Sequence, residues 1–165
     1  MIFYRIARAH LNRPATAFSG EPASKVAHRW NHADPDIRAV YCSDHLALAC
    51  LEILVHVLPL PYSALPPGVY YTVNVPDALL EIPDRAALPA GWDSVVPGNP
   101  SRDYGTAFLR ERRAVGLVVP TVVQPEGRNV ILNPLHPQFD LAWVQGPDVY
   151  PYDGRLLPVR PAARP

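Results

Sequence analysis

Hydrophobic and polar residues alternate from the first positions of the chain, where Ile2-Phe3-Tyr4-Arg5-Ile6 predicts an opening strand. A second alternating run, Gly-Val-Tyr-Tyr-Thr-Val-Asn-Val over 68–75, is β-branched and aromatic and predicts another. Shorter extended runs at 26–31 and 38–43 flank Asn31-His32-Ala33-Asp34-Pro35, whose Asx and Pro chemistry favours a turn. The period changes after Ser43. Ser43 as N-cap and Asp44 in the first turn predict a helix over 44–58, stopped by Pro59 and Pro61. Leu46, Ala49, Cys50, Ile53 and Val57 form one stripe, while Leu48, Leu51 and Val55 make the opposite side apolar, as in a helix packed on most of its circumference.

Farther along, 78–82 predicts a weaker strand. Ser101 predicts the cap of a helix reaching Arg113, with Tyr104, Ala107 and Phe108 inward and Arg102, Arg110 and Arg112 in solvent. Runs at 115–119, 129–132 and 139–144 read as strands. Strands and helices do not alternate as in a doubly wound sheet, so the predicted class is α+β, one domain over 1–160 with a frayed tail at 161–165.

Composition narrows the picture. A chain of 165 residues is long enough for one core that buries roughly two-thirds of the unfolded surface. Its 21 prolines are well over twice the usual share of ~5% and predict short elements joined by stiff loops. Fifteen basic residues balance fifteen acidic ones, which excludes a general electrostatic attraction to nucleic acid or anionic lipid. The longest apolar stretch, 46–60, is interrupted by Glu52, His56 and Pro59 and falls short of the ~20 residues a membrane span needs. With no signal-peptide pattern at the start, a cytoplasmic protein is expected. Cys42 and Cys50 make no C-x-x-C pair and read as small buried hydrophobes. His28 and His32 fall across a predicted turn with no cysteine nearby, so no metal site is expected.

The candidate chemistry lies in three residues delivered by strand, strand and helix. Arg29 carries a planar fork that binds a pyrophosphate bidentately; its alternative is a surface pair with Asp34 or Asp36. Tyr41 offers an aromatic face for a flat cationic ring, or is an ordinary core tyrosine. Glu52 is a lone carboxylate in an apolar helix, where it must be paired or cost several kcal/mol. Such a trio binds an anion, stacks on a ring and stabilises developing positive charge, which is what cleaving the nicotinamide–ribose bond of NAD requires. None of the nine glycines forms a G-x-G-x-x-G or a P-loop, so side chains would hold the phosphates. His56, one turn after Glu52, either orients it or is a helix-face neighbour.

With Arg29-Trp30-Asn31, Tyr41, Leu46-Ala47-Leu48-Ala49-Cys50-Leu51-Glu52, Gly91-Trp92 and Asn129-Val130-Ile131-Leu132-Asn133-Pro134, the chain resembles the RES-domain toxins of bacterial toxin–antitoxin pairs over roughly residues 2–140. The resemblance implies a fold like that of ADP-ribosyltransferases, with a split β core of short strands and peripheral helices. It implies depletion of NAD by hydrolysis or phosphorolysis, with ADP-ribosylation of a protein target as the alternative and a catalytically silent module as a second. NAD is then a substrate and no bound cofactor is needed. Inorganic phosphate is a candidate co-substrate, and a helix-turn-helix antitoxin covering the cleft is the implied partner. The family serine corresponds to Thr121 in Val118-Val119-Pro120-Thr121, which keeps a hydroxyl and adds a methyl. Asn133 would supply an amide to the ligand or cap the turn before Pro134, and His136 matches a family His-Pro or serves that turn. Ala27-His28 stand where the family commonly has glycines.

Overall fold

In the computed structural model, which describes residues 1–57, 65 and 67–156, the N-terminal alternation becomes β1 (Ile2–Arg8). Two short helices follow, α1 (Pro14–Ala17) and α2 (Glu21–Lys25), and then β2 (Val40–Ser43) and α3 (Leu46–Val57). The remaining elements are β3 (Gly68–Asn74), β4 (Leu80–Glu81), α4 (Asn99–Glu111), β5 (Gly116–Pro120), β6 (Arg128–Leu132) and β7 (Val144–Tyr150).

Among the described residues seven strands join one sheet in the order β4-β5-β6-β2-β1-β3-β7, and only β4–β5 is parallel. The joints are unequal: every residue of β1 pairs with β3, but β1 meets β2 at the single pair Tyr4↔Ser43. The sheet is thus two ladders tied at one point, and the expected split core takes this form.

The two faces of the sheet are covered differently. Phe3, Val40, Cys42, Val118, Val130 and Leu132 pack into one continuous core with Phe18, Tyr71 and Val73. On the other face the cover is in two parts. Ala49, Cys50 and Leu54 of α3 sit on Ile6, while Phe108 and Leu109 of α4, with Trp30 and Trp92, cover Leu117, Val119 and Ile131. Register sets Tyr4, Ser43, Asn129 and Val119 in one row across this face. Because α3 covers β1 and α4 covers β5 and β6, the boundary between the two covers falls where β1 meets β2.

Gly105 lets α4 rest directly on the Arg29-Trp30-Asn31 segment, since a Cβ there would lie 2.0 Å from the Trp30 carbonyl oxygen. That segment is not the predicted strand. The His28 N–H donates to the Asn31 oxygen at 3.0 Å, and the fully buried Asn31 amide donates to the carbonyls of Ala23, Val26 and His32. Local side-chain bonding of this kind displaces a ladder.

Other boundaries move for identifiable reasons. α3 begins at Leu46, so Ser43 ends β2 and is not its N-cap. Leu51 and Val55 are 38% and 50% exposed, so α3 packs on one side and not most of its circumference; its predicted end at Leu58 lies outside the described residues. α4 starts at Asn99, with Gly98 as cap and Pro100 in the first turn, where a missing N–H costs nothing. Ser101 is buried inside that turn, and Arg110 pairs with Asp34. Of the strand expected at 139–144 only Val144 falls in one, because the Asp140 carboxylate accepts from the Ala142 N–H and closes a turn over Leu141–Trp143 before β7 begins. β7 is an edge strand, which accommodates Pro147. The tail expected to fray at 161–165 lies outside the described residues. Among the described residues no helix is long and apolar enough to cross a membrane.

Candidate active site

Glu52, half-buried, reaches from α3 across the β1–β2 seam to β6 and to the residue after β5. Its Oε1 accepts from Thr121 Oγ1 at 2.5 Å and from Asn129 Nδ2 at 2.6 Å. These short charge-assisted bonds satisfy one carboxylate oxygen twice. Among the described residues no hydrogen-bond donor reaches the other oxygen, Oε2.

The clamp is itself held. Asn129 Oδ1 accepts from Ser43 Oγ at 2.7 Å, across the β2–β6 register pair Ser43↔Asn129. Thr121 Oγ1 accepts from the Val123 N–H at 3.0 Å, while the Thr121 N–H donates to the Gly127 carbonyl at 3.1 Å. The hydroxyl's proton is thereby aimed at Glu52. The sequence reading gives neither a place in the site: Ser43 is expected as an N-cap, and Asn129 only opens the 129–134 motif. The signal was a polar residue alternating with Ile131 on β6 and another with Tyr41 on β2; pairing 86 residues apart made them partners.

Tyr41 lies two residues before Ser43 on the same strand face, roughly 7 Å along β2. Its hydroxyl donates to Asn31 Oδ1 at 2.7 Å, and the His28 ring stands 5.4 Å from its own. Burial pushes the Tyr41 hydroxyl well above its ordinary pKa, so it stays neutral. Burial likewise pushes His28 down, and His56 and Arg5 add to the effect.

Arg29 does not form the surface pair: it bonds to neither Asp34 nor Asp36. Its Nη1 donates to the carbonyls of Trp92 and Ser94 at 2.8 and 2.7 Å, and Nη2 donates to that of Val95 at 3.3 Å. Both Nη1 protons are spent, so a bidentate grip through this edge is unavailable while the loop is held. Burial lowers the Arg29 pKa, and the charges of Glu52 and Asp93 oppose that shift. Arg29 therefore sits within electrostatic reach of Glu52 and ties the 92–95 loop beside it, where Trp92 stacks on Trp30 at 6.1 Å.

Asn133 does not join the cluster. It follows the far end of β6 from Asn129, about 13 Å along the strand. It is fully buried, and its amide donates to the Leu109 carbonyl at 2.8 Å while Oδ1 accepts from the Leu135 N–H. It is a turn residue pinning α4, not a ligand contact. His136 serves the same turn through Nδ1, which accepts from the Gln138 N–H at 3.1 Å. His56 is exposed and makes no hydrogen bond to Glu52, so it does not orient it.

Fold and site together define a single-domain α+β protein with a clamped carboxylate at a sheet seam. The model of the RES domain matches residues 2–153, and the chain belongs to that family. It is 33% identical to the "Prs ADP-ribosylating toxin" of Sphingobium sp. (strain YBL2), over 94% of this chain and 96% of that protein. It is 32% identical to "Toxin Res" of Photorhabdus laumondii, over 84% and 85%. A chain of the M. tuberculosis MbcT-MbcA toxin–antitoxin complex shares the fold, with a TM-score of 0.68 and 18% identity over 94% of this chain and 85% of that one.

Proposed function

We propose that this protein is the toxin of a toxin–antitoxin pair and that it cleaves the nicotinamide–ribose bond of NAD, depleting the dinucleotide by hydrolysis or phosphorolysis. The observation that carries the proposal is Glu52, fixed through one oxygen by Thr121 and Asn129 and open at the other. As the ribose C1′–N bond breaks, its electron pair neutralises the nicotinamide ring and leaves cationic charge on the sugar. A preorganised carboxylate lowers the energy of that state without rearranging. Tyr41, held neutral by burial, offers its ring to the leaving group. Water or phosphate then attacks the cation, and the surplus proton passes to solvent. The products are nicotinamide with ADP-ribose or its 1-phosphate. An antitoxin with a helix-turn-helix region would silence the reaction by covering the seam.

A second reading is transfer of ADP-ribose to a specific protein, which the name of the Sphingobium relative favours. A silent module would have no need of a twice-satisfied carboxylate with a free edge. Purified protein incubated with NAD, with and without phosphate, separates these readings by product chromatography. Free nicotinamide without any acceptor protein supports depletion. NAD that stays intact until extract is added, with label then on one band, replaces depletion by transfer.

A further inference from the structure

Arg5 is the charged group that the site above leaves unexplained. It lies in β1 one residue past the Tyr4–Ser43 pair, on the opposite face of the sheet. Its Nη1 donates to the Tyr41 carbonyl at 3.0 Å, bridging the two strands where they part. Its Nε is buried and has no acceptor. Among the described residues no carboxylate comes within ion-pair distance of it.

The ionisable groups nearest Arg5 offer no counter-charge. Burial pushes the Cys42 thiol up to about 12, and it raises the Tyr71 hydroxyl, which donates to the Leu11 carbonyl at 2.6 Å. Both are neutral at physiological pH. Burial disfavours the guanidinium too, yet an arginine does not give up its proton. Arg5 as a whole is half-buried, a partly desolvated cation with no counter-charge, which favours an anion beside it. A brace for Tyr41 alone would use only Nη1.

The space for that anion exists. Arg5 lines an open cavity of about 490 Å³ whose wall includes Leu11, Thr16, Ser19 and Val26, within the roughly 300–1,000 Å³ typical of ligand pockets. Lys25 and Glu21, on the same wall, pair at 2.7 Å and cancel each other. Arg5 therefore sets the net charge of the cavity. Arg5 itself links this cavity to the site, since its Nη1 donates to the carbonyl of Tyr41.

We propose that this cavity is an anion-binding site in which Arg5 receives a phosphoryl group. That group is either the diphosphate of a dinucleotide or free inorganic phosphate, and the two sources are separable. The site rests on the placement of Arg5 and not on NAD cleavage.

Calorimetric titration of the protein with ADP-ribose, and separately with inorganic phosphate, tests it. Arg5→Met should weaken binding about 10–100-fold, the loss expected for a charge-assisted contact, and Arg5→Lys should weaken it less. Binding of ADP-ribose alone identifies the dinucleotide as the source; comparable binding of phosphate identifies the free ion. Unchanged affinity in Arg5→Met, or no binding of either probe to the native protein, overturns the proposal. Should Arg5→Met fail to fold, crystals of the native protein soaked in arsenate give the second measurement. An anomalous peak about 3 Å from the Arg5 guanidinium upholds the site, and occupancy elsewhere overturns it. A protein that binds ADP-ribose through Arg5 and cleaves no NAD keeps this site and loses the catalytic reading.

Discussion

Glu52→Gln isolates the charge of the carboxylate from its shape. The two donors that reach Oε1, Thr121 at 2.5 Å and Asn129 at 2.6 Å, fix the orientation of the replacement amide. Its carbonyl oxygen must face both donors, so its NH2 takes the place of the open Oε2. The ligand then meets a donor dipole where it had met a negative acceptor. Both clamp bonds survive as neutral ones, and the stability change stays within about 1 kcal/mol. The transition state loses its one facing carboxylate, a loss on the order of 10²–10³ in turnover, or about 2.7–4 kcal/mol. Because the interaction grows as the sugar becomes cationic, kcat should fall far more than KM rises. Nicotinamide release at saturating NAD, with a parallel thermal melt, measures both. A folded Gln variant that turns over within about threefold of the native enzyme would refute the role assigned to Glu52.

Thr121→Ser should keep activity, whereas the nearly isosteric Thr121→Val should lose about tenfold or more, since it removes a donor to Oε1 and strands the Val123 N–H; full activity in Val would reduce Thr121 to packing. Arg29→Lys should act mainly through the loop, because one ammonium cannot satisfy three carbonyls spread over 92–95. Limited proteolysis should find the 92–97 segment cut faster, with KM raised more than kcat is lowered, and an unchanged cleavage rate would count against the clamp. Gly105→Ala sets a Cβ against the Trp30 carbonyl and should destabilise the fold by about 3 kcal/mol, read as a shift in denaturant midpoint. A midpoint within experimental scatter would mean that α4 is free to slide.

The period of two was legible wherever one face of a strand meets a core, as in β1, β3, β5 and β6. It failed at 26–31, because the Asn31 amide bonds to three local carbonyls and folds the segment into a turn. Glu52 was legible for a thermodynamic reason, as a lone carboxylate among apolar neighbours needs partners. Which partners it has was not. Asn129 lies in β6 and Asn133 just past its end, four residues apart with the same parity, and long-range partners tell them apart: Ser43 for Asn129, the Leu109 carbonyl for Asn133. Arg29 was read as a ligand contact because a guanidinium suits phosphate, yet backbone carbonyls 63 to 66 residues away compete for the same fork.

The seam explains why these groups collect where they do. Strand edges that part leave backbone donors and acceptors to be met by side chains, and Arg5 meets one of them at the Tyr41 carbonyl. α3 is seated on β1 through Ala49, Cys50 and Leu54 against Ile6, but its Glu52 bonds to Asn129 of β6 and to Thr121 after β5. The clamp therefore crosses from one half of the sheet to the other, while the backbone joins them at one register pair. Whatever changes the spacing of the two halves acts on the Thr121 and Asn129 bonds as well as on the single backbone pair, so the orientation of the Glu52 carboxylate is tied to how the halves sit.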